Sequence, residues 1–267
     1  LPQPLTALAA IAARTTRCRL GTGVVIAPLA HPMALAEQAA LVDVISNGRL
    51  ELGLGAGYVA PEFAAFGADL AERYRDTDHA LAEIARIHAD GVCTPGPVQS
   101  PVPLWAGYLG PVGARRAGRL GVGLMTWNAE SWPIYRDALA EAGHPASAAR
   151  MGGVVDFLVA DDPEQMFEQV LPHRTHQLNS YRQNATKGSG HTPRLLTDDD
   201  VREGRGSGVI GPLDILTVDE AVARIRSICD GLPVEHLYLW GSIGGMPEAL
   251  VEQQMGLVID RLQPALE

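Results

Sequence analysis

Short apolar runs alternate with helical stretches along almost the whole chain, and that alternation leaves few folds open. Residues 19–26, 50–55, 103–106, 122–126, 152–159 and 236–240 are runs suited to buried strands. Around them, residues 5–13, 32–46, 69–87, 113–120, 131–142, 163–181, 218–229 and 247–262 carry helical patterning, with Pro32 opening one helix and Asn47-Gly48 stopping it. The runs are apolar throughout instead of alternating with polar residues, which is the pattern of strands covered on both faces. Helices of this length between strands imply parallel pairing through right-handed crossovers. An α/β fold follows. Six strands satisfy an open doubly wound sheet as they stand, whereas an eight-stranded barrel needs two more ahead of the first helix.

Composition narrows the function. A chain of 267 residues, 46% of them hydrophobic, can bury a full core, so general disorder is excluded. With 21 Lys and Arg against 31 Asp and Glu, a net charge of −10 and no basic block, neither nucleic acid nor an anionic membrane surface is an expected partner. Lys187 is the only lysine and stands in a glycine-rich loop, which disfavours Schiff-base chemistry. No G-x-x-x-x-G-K-[ST] phosphate loop is present. Cys18, Cys93 and Cys229 are scattered and odd in number, so neither a disulfide framework nor a C-x-x-C site is supported, and a cytoplasmic location is the default. His173 and His176 lie three apart but lack a third ligand, and no metal is expected. The start, Leu1-Pro2-Gln3-Pro4, has neither Met nor the regions of a signal peptide, so a processed beginning or a longer parent chain is expected.

Several segments invite a ligand and have a plain structural alternative. Gly53-Leu54-Gly55-Ala56-Gly57 puts bare backbone at the end of a strand, where a planar ligand or a phosphate could approach, yet its glycines lack dinucleotide spacing and serve a tight turn equally well. Gly107 to Gly113 leads from a strand into a helix whose N-terminus could hold a phosphate, although alone it reads more readily as an ordinary βα turn. Trp127 with Asn128, and Trp240, end two further strands and suit either a ligand or core packing. His31 fits a helix-entry residue. The glycine-rich segment 186–211 is long for a connection and is a candidate lid or insertion loop, or else a solvated tether.

Taken in order, the longer strings resemble the bacterial luciferase-like monooxygenase family. They run Leu20-Gly21-Thr22-Gly23-Val24-Val25-Ile26-Ala27-Pro28-Leu29-Ala30-His31-Pro32, then Ala36-Glu37-Gln38-Ala39-Ala40-Leu41-Val42-Asp43 and Ser46-Asn47-Gly48-Arg49-Leu50. Gly55-Ala56-Gly57-Tyr58, Glu62-Phe63, Phe66-Gly67 and Val102-Pro103-Leu104-Trp105-Ala106-Gly107 continue the match, which weakens after Ala160. The resemblance implies a TIM (β/α)8 barrel whose first two strands are missing from the chain as given. It makes residues 1–267 a single, N-terminally incomplete domain with 186–211 as its lid or insertion.

The same resemblance implies a reduced flavin, or a deazaflavin in some branches, at the carboxyl face of the strands. Gly23 and Val24 match the place where luciferases hold a non-proline cis peptide beneath the flavin ring, so a cis bond is expected between them. Ala56, Gly57 and Tyr58 match a segment approaching the flavin tail, with alanine where luciferase has arginine. Leu109, Gly110 and Gly113 match the phosphate loop, without its usual Ser or Thr hydroxyls, and Thr126 and Trp127 match a pair lining the ring. The catalytic histidine of luciferases falls ahead of Leu1, which leaves the catalytic residue unassigned.

The function so implied is a monooxygenase that takes reduced FMN from a separate flavin reductase and uses dioxygen on a small apolar or carbonyl substrate. Alternatives are a deazaflavin-dependent dehydrogenase that moves hydride, which the departures at Ala56 and in the phosphate loop favour, and a non-catalytic luciferase-like flavoprotein subunit. A homodimer is expected through residues 5–13 and 33–46, which are rich in alanine and poor in charge.

Overall fold

The computed structural model describes residues 3–205 and 212–267. In chain order it holds α1 (Pro4–Ala12), β1 (Leu20–Gly21), β2 (Val25–Ile26), α2 (Pro32–Ser46), β3 (Leu50–Gly55), α3 (Ala60–Phe66), α4 (Arg73–Ala89), β4 (Leu104–Ala106), α5 (Gly110–Leu120), β5 (Gly123–Leu124), α6 (Ser131–Glu141) and β6 (Met151–Val155). There follow β7 (Phe157–Val159), α7 (Pro163–Thr186), α8 (Asp198–Arg202), β8 (Asp214–Leu216), α9 (Val218–Cys229), β9 (Val234–Leu239), α10 (Glu248–Leu257), a π-helical turn over Val258–Leu262 and α11 (Gln263–Leu266). The architecture is α/β, as the alternation predicts. One sheet runs in the order β1-β3-β4-β5-β6-β9 with β2 also on β3, and a second pairs β7 with β8. By contacts the chain divides into Leu1–Gly153 with Pro233–His236, and Val154–Leu232 with Leu237–Glu267.

In the first unit β3 is buried at every position, which explains a strand without polar alternation. Leu50, Leu52 and Leu54 join Ala36, Leu81 and Ile84 of α2 and α4 in the core. Glu51, Gly53 and Gly55 therefore alternate onto the opposite face. There the Trp105 indole donates to Glu51 Oε2 at 2.5 Å, Arg19 pairs with the same carboxylate, and His236 meets the Trp105 ring edge-on at 4.3 Å. Ala36, Ala39 and Ala40 are fully buried, so α2 packs on its neighbours with little side chain between. His31 caps α2 by accepting from Met33 N–H at 3.2 Å, and Asn47 ends it at φ 57°.

Two expectations are corrected in this unit. The run 19–26 is two strands, β1 and β2, both paired in parallel with β3, and the Gly23–Val24 peptide between them is cis as the resemblance implies. The helix expected from Gly113 begins at Gly110, because Leu109 stays extended and Gly110, at φ 68°, turns the backbone directly into the helix. Helix α3, over residues 60–66, has no counterpart in the sequence reading.

In the second unit the run expected as one strand over 152–159 divides at Asp156 into β6 and β7, and β7 pairs in parallel with β8. Arg174, 1% exposed, donates to the Asp156 carboxylate at 2.5 Å and to Gln177 Oε1 at 2.7 Å, so the break places a carboxylate beside a buried guanidinium. Burial raises the Asp156 pKa, and Arg174 acts in the opposite sense. Helix α7 continues through Pro172 to Thr186, past its expected end at 181. Residues 187–205 of the expected lid include α8, opened by a capping box of Thr197 and Asp200, while 206–211 lie outside the described residues. Leu158, Ala160, Met166, Val170 and Ile243 form this unit's own core. No described helix is long and apolar enough to cross a membrane.

Candidate functional site

The parallel register brings four segments to one end of the first unit's sheet. Ile26 lies opposite Gly55, Leu54 opposite Ala106 and Ala106 opposite Leu124, so residues 55–58, 107–113 and 125–127 leave β3, β4 and β5 at their carboxyl ends. Gly23 and Val24 sit between β1 and β2 against the same part of β3. In parallel α/β sheets this edge is where ligands bind.

What holds these segments together is the absence of side chains. A Cβ at Gly55 would lie 2.4 Å from Val24 Cγ2, and one at Gly107 would lie 2.7 Å from Val24 Cγ1. Val24 thus occupies room left by two glycines on neighbouring strands. A Cβ at Gly53 would fall 2.1 Å from the Thr22 carbonyl oxygen. The Thr22 hydroxyl donates to Gly53 O at 2.8 Å and accepts from Gly53 N–H at 2.9 Å, fixing the backbone just before the cis peptide. Nothing in the sequence distinguishes Thr22 from any other strand threonine, and its role emerges only from the pairing.

The remaining sequence candidates line the same edge. Ala56 is buried, Gly57 adopts φ 69° with Ile26 and Phe63 against it, and Tyr58 is exposed. Leu109 is exposed at the head of α5, where no side chain caps the first turn. Gly113 packs on Tyr108, with a hypothetical Cβ only 2.6 Å from Tyr108 Cβ. The free N–H groups of this turn and the positive end of the helix suit an anion. Thr126 and Trp127 are partly buried after β5, and Thr126 Oγ1 accepts from Asn128 N–H at 3.2 Å.

One residue that the sequence reading passed over, Asp78, positions this loop. Tyr108 donates its hydroxyl to Asp78 Oδ1 at 2.6 Å, and Arg116 of α5 pairs with Asp78 Oδ2. Asp78 of α4 therefore ties down both the residue before the loop and the helix after it. Burial, reinforced by Asp78, pushes the Tyr108 phenol well above its usual range, so it stays a donor. Toward the amino ends of the strands, burial and then Arg19 hold the pKa of His236 below the ordinary imidazole value. The described residues contain no group of three or more His, Cys, Asp or Glu that could hold a metal. A cavity of about 500 Å³ in the second unit, lined by Pro163, Glu164, Gln165, Phe167, Glu168 and Ile215, includes none of the strand-end candidates.

A family model described as luciferase-like monooxygenase matches residues 1–209. The chain belongs to that family. Among relatives of this luciferase-like chain, limonene 1,2-monooxygenase of Rhodococcus erythropolis is 29% identical over an alignment 247 positions long, gaps included, that covers 83% of this chain and 62% of the relative. The chain thus spans less than two thirds of that protein. An F420-dependent glucose-6-phosphate dehydrogenase of Amycolatopsis mediterranei is 26% identical over an alignment 267 positions long, gaps included, that covers 90% of this chain and 78% of the relative. Among solved structures, monooxygenase RslO1 from Streptomyces bottropensis superposes with a TM-score of 0.77 at 27% identity, covering all of this chain and 84% of that one. The relatives thus include one named a monooxygenase and one named an F420-dependent dehydrogenase.

Proposed function

We propose that the strand-end platform of the first unit binds reduced FMN, and that the chain is the oxygenase of a two-component monooxygenase acting on a small apolar or carbonyl substrate. The observation that carries this reading is a closely packed wall beside a helix start. Glycine at 53, 55 and 107 lets Thr22 and Val24 close against β3 and the end of β4, which sets the exposed Gly23 and half-buried Val24 beside an uncapped helix start at Leu109 and Gly110. A planar ring needs such a wall and a phosphate needs such a helix start. In this assignment Gly23, Val24, Thr126 and Trp127 border the ring. Ala56, Gly57 and Tyr58 border the tail, and the backbone N–H groups near Leu109, Gly110 and Gly113 hold the phosphate.

Reduced flavin, when bound, supplies the reaction with dioxygen, and a separate reductase supplies reduced flavin. The chain's own part is to orient and to exclude water: Val24 and the buried Ala56 present apolar surface, and Asp78 steadies the phosphate loop through Tyr108. A second reading is hydride transfer with a deazaflavin. Alanine at position 56 and a phosphate loop without hydroxyls favour it, since neither supplies the clamp that FMN has in luciferase. We also assign a homodimer through α1 and α2, where Ile11, Leu41, Val44 and Ile45 are exposed apolar side chains.

The deciding experiment is titration of the purified protein with reduced FMN and with reduced deazaflavin, followed by oxygen and, separately, by a hydride donor. Oxygen-dependent turnover with FMN supports the first reading. Hydride exchange with deazaflavin alone replaces it with the second, and binding of neither coenzyme removes both.

A further inference from the structure

A cleft of about 290 Å³ in the first unit lies between α4 and α5, lined by Asp78, Val112, Arg115, Arg116, Arg119 and Leu120. Three guanidiniums line it although the chain carries a formal net charge of −10. Its one acid is already committed: Asp78 accepts from the Tyr108 hydroxyl through Oδ1 and pairs with Arg116 through Oδ2. Glu72 and Asp76, at the start of α4, pair with Arg75. Arg115 and Arg119 stand one turn apart on α5, both exposed, and neither side chain has a hydrogen-bond or ion-pair partner among the described residues. Like charges at this spacing repel, so the helix carries a local cost that an anion between them would remove. Arg73 and Arg116 both lie over the Tyr74 ring, at 4.6 and 5.6 Å, which adds to the positive face of the same two helices.

The cleft also has a direction. Val112 lines it and belongs to the first turn of α5, so a ligand with one anion at the start of that helix can run past Val112 to the two free arginines. Arg is suited to this because its planar fork takes phosphoryl or carboxylate oxygens in pairs. We infer that the α4–α5 cleft is a second anion site, in which Arg115 and Arg119 bind a phosphoryl or carboxylate group. Such a group comes either from the extended tail of the coenzyme or from a free anion. The first source rests on the flavin reading, and the second does not.

The test compares the native protein with Arg115→Ala/Arg119→Ala and Arg115→Lys/Arg119→Lys, using calorimetric titration with three probes. These are inorganic pyrophosphate, reduced FMN with its single phosphate, and a deazaflavin carrying an oligoglutamyl tail. Both arginines are exposed, so the variants should fold. Pyrophosphate is expected to bind about tenfold more weakly to the alanine variant, with partial recovery in the lysine variant and a shallower dependence on salt. FMN affinity should stay within about twofold, because the first-turn N–H groups are untouched, whereas the tailed deazaflavin should lose about tenfold if the coenzyme tail is the occupant. Arginine-dependent pyrophosphate binding without a loss for the tailed coenzyme assigns the cleft to a free anion. The inference is overturned if pyrophosphate and the tailed coenzyme each bind the alanine variant as well as the native protein, or if neither binds. Flavin binding in that case would leave the flavin reading standing. Arginine-dependent pyrophosphate binding in a protein that takes no flavin would remove the flavin reading and keep the cleft.

Discussion

In the first unit, neighbouring strands make room for one another with glycine, while in the second, polar groups are taken inside and paired. Val24 sits over Gly55 and Gly107, and Trp105 needs Gly123 beside it, where a Cβ would come within 2.4 Å of the indole. The second unit instead holds Arg174 against Asp156 and Gln177, and Asp200 against Arg194 and Arg205. Asn179 exchanges two hydrogen bonds with the backbone of Leu196. The strand-end glycines of the first unit are limited by volume and the Arg174–Asp156 pair of the second by charge, so mutations should hurt these two regions through different physics.

The contrast can be broken most forcefully at Arg174. Arg174→Met strands the Asp156 carboxylate beside a buried apolar side chain and should cost about 3–5 kcal/mol in urea unfolding. Replacing Asp156 by Asn at the same time should recover part of that loss, and failure to recover any would mean that the pair is not what the site needs. Next in size is Gly53→Ala, whose Cβ must displace the Thr22 carbonyl. A loss of about 1–3 kcal/mol is expected, together with weaker flavin binding, and a neutral result would dismiss volume as the limit in the first unit. Tyr108→Phe removes one hydrogen bond to Asp78 and should cost about 1 kcal/mol, with reduced coenzyme affinity as the more sensitive readout.

The smallest effect concerns pH. His236 packs on Trp105 and titrates below the ordinary value of 6.5, by burial first and then by Arg19. The unfolded chain then binds the proton more tightly than the folded one. Stability from this group is complete above that value and is lost as pH falls below it through the folded-state pKa. His236→Phe should flatten the decline measured by thermal unfolding between about pH 7 and pH 5, and an unchanged slope would place the sensitivity elsewhere.

Legibility in the sequence follows the same division. Helix α2 and strand β3 match their expected bounds because Pro32, Asn47-Gly48 and an unbroken apolar run are local signals. Helix α9 matches as well, and Thr217 and Glu220 cap it within four residues of one another. The division at Asp156 was illegible because the partner of its carboxylate, Arg174, lies on another element, and α7 passes Pro172 against the usual rule that proline ends a helix. At the candidate site, the glycines announced bare backbone but not what fills it. Ring and phosphate roles came from resemblance to luciferases, and the register places those residues along one edge. Thr22 and Asp78 act through partners on other elements, so no local pattern could mark them.

The space shared by Val24, Gly55 and Gly107 also makes the site remodellable by exchange. Truncation to alanine at position 24 would remove both methyl groups that now forbid a side chain on the neighbouring strands. Gly55→Ala or Gly107→Ala, disruptive alone, should then become tolerable in the Val24→Ala background, a positive coupling between positions on different strands. An engineer could in this way move one bump among three places on the wall and reshape what it contacts while keeping its total volume nearly constant. On the flavin reading proposed above, the fit of the bound molecule would then be retuned by relocating a methyl group, with no loop rebuilt.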